Sequence, residues 1–188
     1  MEKDDREIMD AENPDIMDEL QGRLDSALPR CLDSVNCRRV EILERRVDFA
    51  TAFQLSQPGS KAREAIVLGF PLRDLNPAYV DREFVSPLFL RWPDGKLALI
   101  FDSDIHGYHG EMDCSAKYRG EGVPAEFACP ECAGKSFRIS VQFDYTEACC
   151  DLLEDDPEEK AENYFSNIIV SGQCVECGTL SCIVDMDL

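Results

Sequence analysis

Four cysteines stand in two Cys-x-x-Cys pairs, Phe127-Ala-Cys129-Pro-Glu-Cys132-Ala-Gly134 and Gln173-Cys174-Val-Glu-Cys177-Gly178. Each pair can fold as a tight knuckle that points two thiolates at one ion. Two knuckles complete the tetrahedral S₄ set that Zn²⁺ accepts at roughly 2.3 Å per sulfur. Pro130 pre-sets the turn, and Gly134 and Gly178 fit positive-φ positions where a knuckle hands over to a strand. The chemistry expected of Cys129, Cys132, Cys174 and Cys177 is to hold one structural metal ion, Zn²⁺.

Rival readings of these thiols remain open. An iron site of the rubredoxin kind uses the same S₄ geometry, so the ligands alone do not choose the metal. A redox dithiol would need Cys129 at a helix N-terminus in a βαβ setting, whereas β-patterned residues follow it here. Four unrelated free thiols are the last alternative. Of the other cysteines, Cys182 shares the alternation of Leu180, Val184 and Met186 and is expected in the core. Cys149 and Cys150 fall in an acidic stretch, and Cys31, Cys37 and Cys114 are isolated.

A second cluster runs Asp102-Ser-Asp104-Ile-His106-Gly-Tyr-His109-Gly-Glu111, with Cys114 nearby. It follows a strand end and gathers both histidines beside three acids, so a second metal site or an acid–base centre is conceivable. The plainer reading is a polar, glycine-punctuated loop. His-x-x-His on a loop also lacks the i, i+4 spacing of helical zinc-hydrolase motifs. No catalytic residue is assigned. Arg38-Arg39 and Arg45-Arg46 form the one basic cluster, with Glu41 and Glu44 between them. An internal partner for the acidic N-terminus or the acidic insertion is the role expected of it, ahead of nucleic-acid contact.

Charge narrows the function classes. Thirty-eight acids against nineteen Lys and Arg give a net charge of −19, which opposes binding to phosphate backbones and anionic lipid. A basic protein partner fits such a surface better. No apolar run approaches the ~20 residues of a membrane helix, and the N-terminus leads into acids rather than an apolar signal core. The expected compartment is the cytosol. Ten cysteines in that setting read as metal ligands before they read as disulfides.

Several elements must position these groups. Residues 1–28 are acidic and poor in apolar positions, with a short amphipathic helix after Pro14 that uses Leu20 and Leu24, and Pro29 as its stop. Val47, Phe49, Thr51, Phe53 and Leu55 alternate as in a half-buried strand, and Ala65 to Phe70 is a second β-like run. Pro58-Gly59-Ser60 between them predicts a hairpin. A helix over Val40, Leu43, Val47 and Ala50 competes with the first strand. Phe89-Leu-Arg-Trp92 and Lys96 to Asp102 flank Pro93-Asp94-Gly95, which predicts a second hairpin. Trp92 is expected in the core.

Around the cysteines, Phe137, Ile139, Val141, Phe143 and Tyr145 recur at period two. Asn167 to Gly172 runs into the second knuckle, and Thr179 to Met186 runs out of it. A strand after each knuckle, with one feeding the second, resembles the zinc-ribbon superfamily over about the last sixty residues. That resemblance implies a three-stranded ribbon on one structural zinc and says little about function. The 41 residues between Cys132 and Cys174 exceed the roughly 15–20 of a compact site. The excess is an acidic insertion, Glu147 to Glu162, which a ribbon tip tolerates because closure cost grows only logarithmically with length.

The resulting expectation is an α+β, β-rich chain: an acidic helical or disordered segment over 1–28, a small antiparallel sheet over 29–120, and a zinc ribbon over 121–188 that forms a separate unit. The expected function is a non-enzymatic cytosolic zinc-binding scaffold, adaptor or acidic, immunity-type inhibitor of a protein partner. An enzyme using the His106/His109 loop and a nucleic-acid-associated ribbon in a larger complex are the alternatives.

Overall fold

The computed structural model describes residues 14–42, 47, 49–78, 83–106, 117–146 and 160–188. Three α-helices occur among them: α1 (Pro14–Ser26) and the single turns α2 (Leu72–Leu75) and α3 (Ser103–His106). The strands are β1 (Asn36–Arg39), β2 (Phe49–Ser56), β3 (Glu64–Pro71), β4 (Phe84–Arg91), β5 (Leu97–Phe101), β6 (Ala125–Glu126), β7 (Phe137–Tyr145), β8 (Asn167–Cys174) and β9 (Leu180–Asp187). These strands pair antiparallel into one curled, half-barrel sheet.

Strand β7 is the hub. Its alternation puts Phe137, Ile139, Val141, Phe143 and Tyr145 inward, each at most 1% exposed. Burying five such side chains contributes roughly 1.5–3 kcal/mol each before conformational entropy is set against it. One edge of β7 pairs with β8 along the whole strand, and β8 carries β9 beyond it. The other edge pairs first with β2, from Phe49↔Tyr145 to Gln54↔Ser140, and then with the start of β3, Glu64↔Arg138.

This pairing corrects the first predicted hairpin. Both β2 and β3 are strands, and the turn at 58–60 exists: Gly59 has φ 71° and the Gln57 N–H donates to the Ala62 carbonyl at 2.9 Å. The turn, however, does not fold β3 back on β2. It is an excursion after which the chain continues in the same direction, and β7 supplies the partner for both strands. Local alternation marks a strand but leaves its partner open, and here a distant strand wins. Of the competing helix, Ala50 lies in the strand Phe49–Ser56 instead, while Leu43 and residues 44–46 and 48 lie outside the described residues. The second hairpin is as expected: β4 pairs β5 from Arg91↔Leu97, Gly95 has φ 85°, and Trp92 is 3% exposed.

The boundary expected near residue 120 runs through a continuous sheet. β2–β7 and β3–β6 both pair across it, and the buried residues of both sides form one core. Phe165 packs edge-on against Phe143 at 4.6 Å between centroids and also meets Phe101 at 6.1 Å and Tyr145 at 6.4 Å. The reason is exposed apolar area. A three-stranded meander β7–β8–β9 with five large residues on one face needs a covering layer, and β2 to β5 provide it. Helix α1 joins the same core through fully buried Leu20 and Leu24, and Arg39 pins it. The Arg39 guanidinium donates to the carbonyls of Leu24 and Ala27, lies 3.8 Å from Asp25, and caps the Phe53 ring. Part of the basic cluster is therefore an internal partner of the acidic N-terminal segment. Residues 1–13, Arg45, Arg46 and 147–159 of the acidic insertion lie outside the described residues. Among the described residues no helix is long and apolar enough to cross a membrane.

Candidate metal centre

Both knuckles sit where strands hand over. The first occupies the connection between β6 and β7, and the second joins β8 to β9. Cys174, the last residue of β8, is opposite Phe137, the first of β7. A backbone hydrogen bond from Val175 N–H to the Ser136 carbonyl, 2.9 Å, ties one knuckle to the other.

The two turns repeat one pattern. In the first, Ala133 N–H donates to the Cys129 carbonyl and Cys129 N–H to the Gly134 carbonyl. In the second, Gly178 donates to Cys174 and Cys174 to Thr179. The residue after the second cysteine adopts positive φ in both, 61° at Ala133 and 80° at Gly178. Gly134 is thus not the positive-φ residue its type predicted. A Cβ there would lie 2.4 Å from Glu176 Oε2 and 3.2 Å from Cys132 Sγ, so a larger residue would need the exposed Glu176 carboxylate to swing aside. The left-handed conformation costs an L-residue roughly 1–2 kcal/mol, and glycine loses about 0.4–1 kcal/mol more entropy on folding. Ala133→Gly should therefore stabilise the protein by about 0.5–1 kcal/mol, and a lower melting temperature would contradict that account.

The sulfurs converge. Cys129 Sγ is 3.6 Å from Cys177 Sγ, and Cys132 Sγ is 3.6 Å from Cys174 Sγ. All four lie within 4.8 Å of one another. A tetrahedron with roughly 2.3 Å metal–sulfur bonds has edges of about 3.8 Å, so the donor set fits a four-coordinate ion such as Zn²⁺. A disulfide would need about 2.05 Å, and all four thiols are free. Cys129 and Cys174 are buried, whereas Cys132 and Cys177 are exposed.

Proton affinities differ across the set. The Thr179 hydroxyl, 3.3 Å from Cys177 Sγ, and the Thr179 backbone N–H hold that thiol down at about 6. Burial pushes the Cys174 thiol up to about 12, and it donates to Glu176 Oε2 at 3.1 Å. A bound divalent cation would deprotonate all four. All four positions of a tetrahedral ion would be filled by protein, which leaves no place for water or substrate.

The histidine cluster is built differently. Asp102, 4% exposed, takes a two-pronged contact from Arg119, Nε to Oδ1 at 3.1 Å and Nη2 to Oδ2 at 2.9 Å. Its Oδ1 also accepts the Asp104 N–H and so caps α3. Burial raises the Asp102 carboxyl, but the Arg119 and Asp104 hydrogen bonds outweigh it and hold the group below the usual range. His106 stacks on Phe101, and its Nδ1 lies 2.9 Å from the Asp102 backbone. Burial lowers its proton affinity. These contacts are internal and structural. His109, Glu111 and Cys114 lie outside the described residues.

Because Asp102 binds its proton more weakly folded than unfolded, its stabilisation is complete above pH ~4. It is lost as pH falls through the lower, folded value. Arg119→Gln should destabilise by about 1–3 kcal/mol at neutral pH, below the full cost of breaking a buried pair because Arg119 is one-third exposed. The loss should shrink in acid. A variant whose deficit is the same at pH 3 and pH 7 in thermal melts would contradict this.

Sequence reasoning missed the exposure of Cys182. A register shift between Val170 and Ser171 places a bulge in β9, so Ser181, Ile183 and Val184 are buried while Leu180 and Cys182 face outward. Cys31 is buried, and burial raises its thiol well above the ordinary value. No protein-family model, curated protein or solved structure matches this chain.

Proposed function

We propose that this protein is a non-enzymatic zinc-binding scaffold. Its C-terminal strands form a zinc ribbon whose metal is structural, and its acidic surface engages a basic protein partner in the cytosol. The observation that carries the reading is the closed set of four converging thiols, Cys129, Cys132, Cys174 and Cys177. Structural zinc sites are closed in this way, whereas catalytic ones keep a position open. The free thiols suit a reducing compartment, and the net charge of −19 favours a cationic partner while repelling nucleic acid.

The test has two arms. Metal analysis of the purified chain should give one zinc equivalent, retained in His106→Ala and lost in Cys132→Ser. Capture from native lysate should yield a basic protein that is released at about 1 M salt, where the Debye length falls to roughly 3 Å. Metal that follows His106 instead of the cysteines, or a partner that is acidic or salt-resistant, would sink the reading.

A further inference from the structure

One groove of this acidic chain is cationic. It measures about 480 Å³ and is lined by Arg38 of β1, Lys61 and Arg63 of the β2–β3 connection, and Arg138 of β7. The amides of Gln54 and Gln173 join them. Glu64 is the one carboxylate on the lining, and it lies a loose 3.8 Å from Arg138. The groove is formed on one face of the sheet, because directly paired strand residues project to the same side. Arg38 is opposite Gln54, Glu64 is opposite Arg138, and Arg138 is opposite Gln173.

Two features mark it as more than scattered surface charge. Acids outnumber bases two to one in this chain, yet Lys61 and Arg63 form no ion pair or hydrogen bond among the described residues. Their backbone is nevertheless held. Gln57 N–H bonds to the Ala62 carbonyl, Ser60 N–H to the Gln57 carbonyl, and Ala62 N–H to Ser60 Oγ at 3.1 Å. Arg38 is also held, donating to Gln54 Oε1 at 2.7 Å.

We propose that this groove binds a compact polyanion, a small molecule carrying two or more linked phosphates. Three guanidinium forks and one ammonium match phosphate oxygens, which accept bidentate and point-charge contacts together. The volume lies within the roughly 300–1,000 Å³ of small-molecule sites. A long polyanion is disfavoured, since each phosphate beyond the groove would meet the surface of a −19 chain.

Calorimetry of the full-length protein with inorganic pyrophosphate tests this at low salt, with metal content checked afterwards. Saturable one-to-one binding is expected. The Lys61→Gln/Arg63→Gln double variant should bind about 100-fold more weakly, roughly tenfold for each charged donor removed. Both side chains are exposed, so the variant should melt like wild type. Arg73→Gln removes a charge from a different cleft and should change nothing. Absence of saturation at millimolar pyrophosphate would overturn the proposal. So would an equal loss in Arg73→Gln, or tighter binding of single-stranded RNA or a poly-glutamate peptide to the same groove.

Discussion

Cys174→Ser is expected to strip the metal from the protein and lower its melting temperature by about 10–20 °C. Apparent binding energies of structural zinc in small modules are ~10–16 kcal/mol. This centre is attached to a larger sheet, so only a part of that energy is at risk. A loss of even 5 kcal/mol gives the stated shift at about 2–4 °C per kcal/mol for a chain of this size. The path of the damage can be followed. Cys174 faces Phe137 across β7–β8, and Phe137 packs on Phe127, which packs on Phe84, each at 5.5 Å. Releasing the knuckles loosens the Val175–Ser136 hydrogen bond and then this aromatic row. Serine is nearly isosteric with cysteine, so little of the effect comes from packing. Cys177→Ser removes an exposed ligand and should produce the same metal loss without touching the core. Intact metal content and an unchanged melt in either variant would remove the structural-metal claim.

The second large effect is Phe165→Ala, expected to cost about 3–5 kcal/mol, the range for deleting a buried phenyl ring. Phe165 is 3% exposed and lies against Phe143, Tyr145 and Phe101. The first two belong to the cysteine-bearing half of the chain, and Phe101 belongs to the other half. Destabilisation should therefore reach both halves together. Trp92 is the sole tryptophan of the chain and is buried in the N-terminal half, so its emission reports there. Metal release reports on the cysteines. Coincident unfolding transitions by the two probes, in wild type and variant alike, are expected of one cooperative core. Two separated transitions would restore the independent ribbon that the sequence suggested.

Local chemistry was legible in the residues, and long-range pairing was not. The Cys-x-x-Cys spacing named the four converging thiols because a knuckle is a local object, closed by hydrogen bonds within six residues. The β4–β5 hairpin was legible for the same reason: Pro93-Asp94-Gly95 fixes its turn. Alternation in Phe137 to Tyr145 identified the inward face of β7. It could not reveal that the other edge of β7 takes β2 and β3 in succession, because period two encodes a face and not a neighbour. The boundary expected near residue 120 rested on the glycines and prolines between Gly107 and Pro124, which look like a linker whether or not the sheet continues beyond it, as it does in the β2–β7 and β3–β6 pairs. Cys182 misled because one bulge inverts every later position of a strand. The short pieces β1 and β6 carry little pattern of their own and depend on β2 and β3 for pairing.

X-ray absorption at the edge of the bound metal tests the central claim most directly. The full-length protein should contain zinc whose first shell is four sulfurs at about 2.3 Å, with no nitrogen or oxygen scatterer. Cys132→Ser should abolish that signal. A shell containing nitrogen or oxygen, or a protein that binds no metal and keeps its fold, would contradict a structural four-cysteine centre.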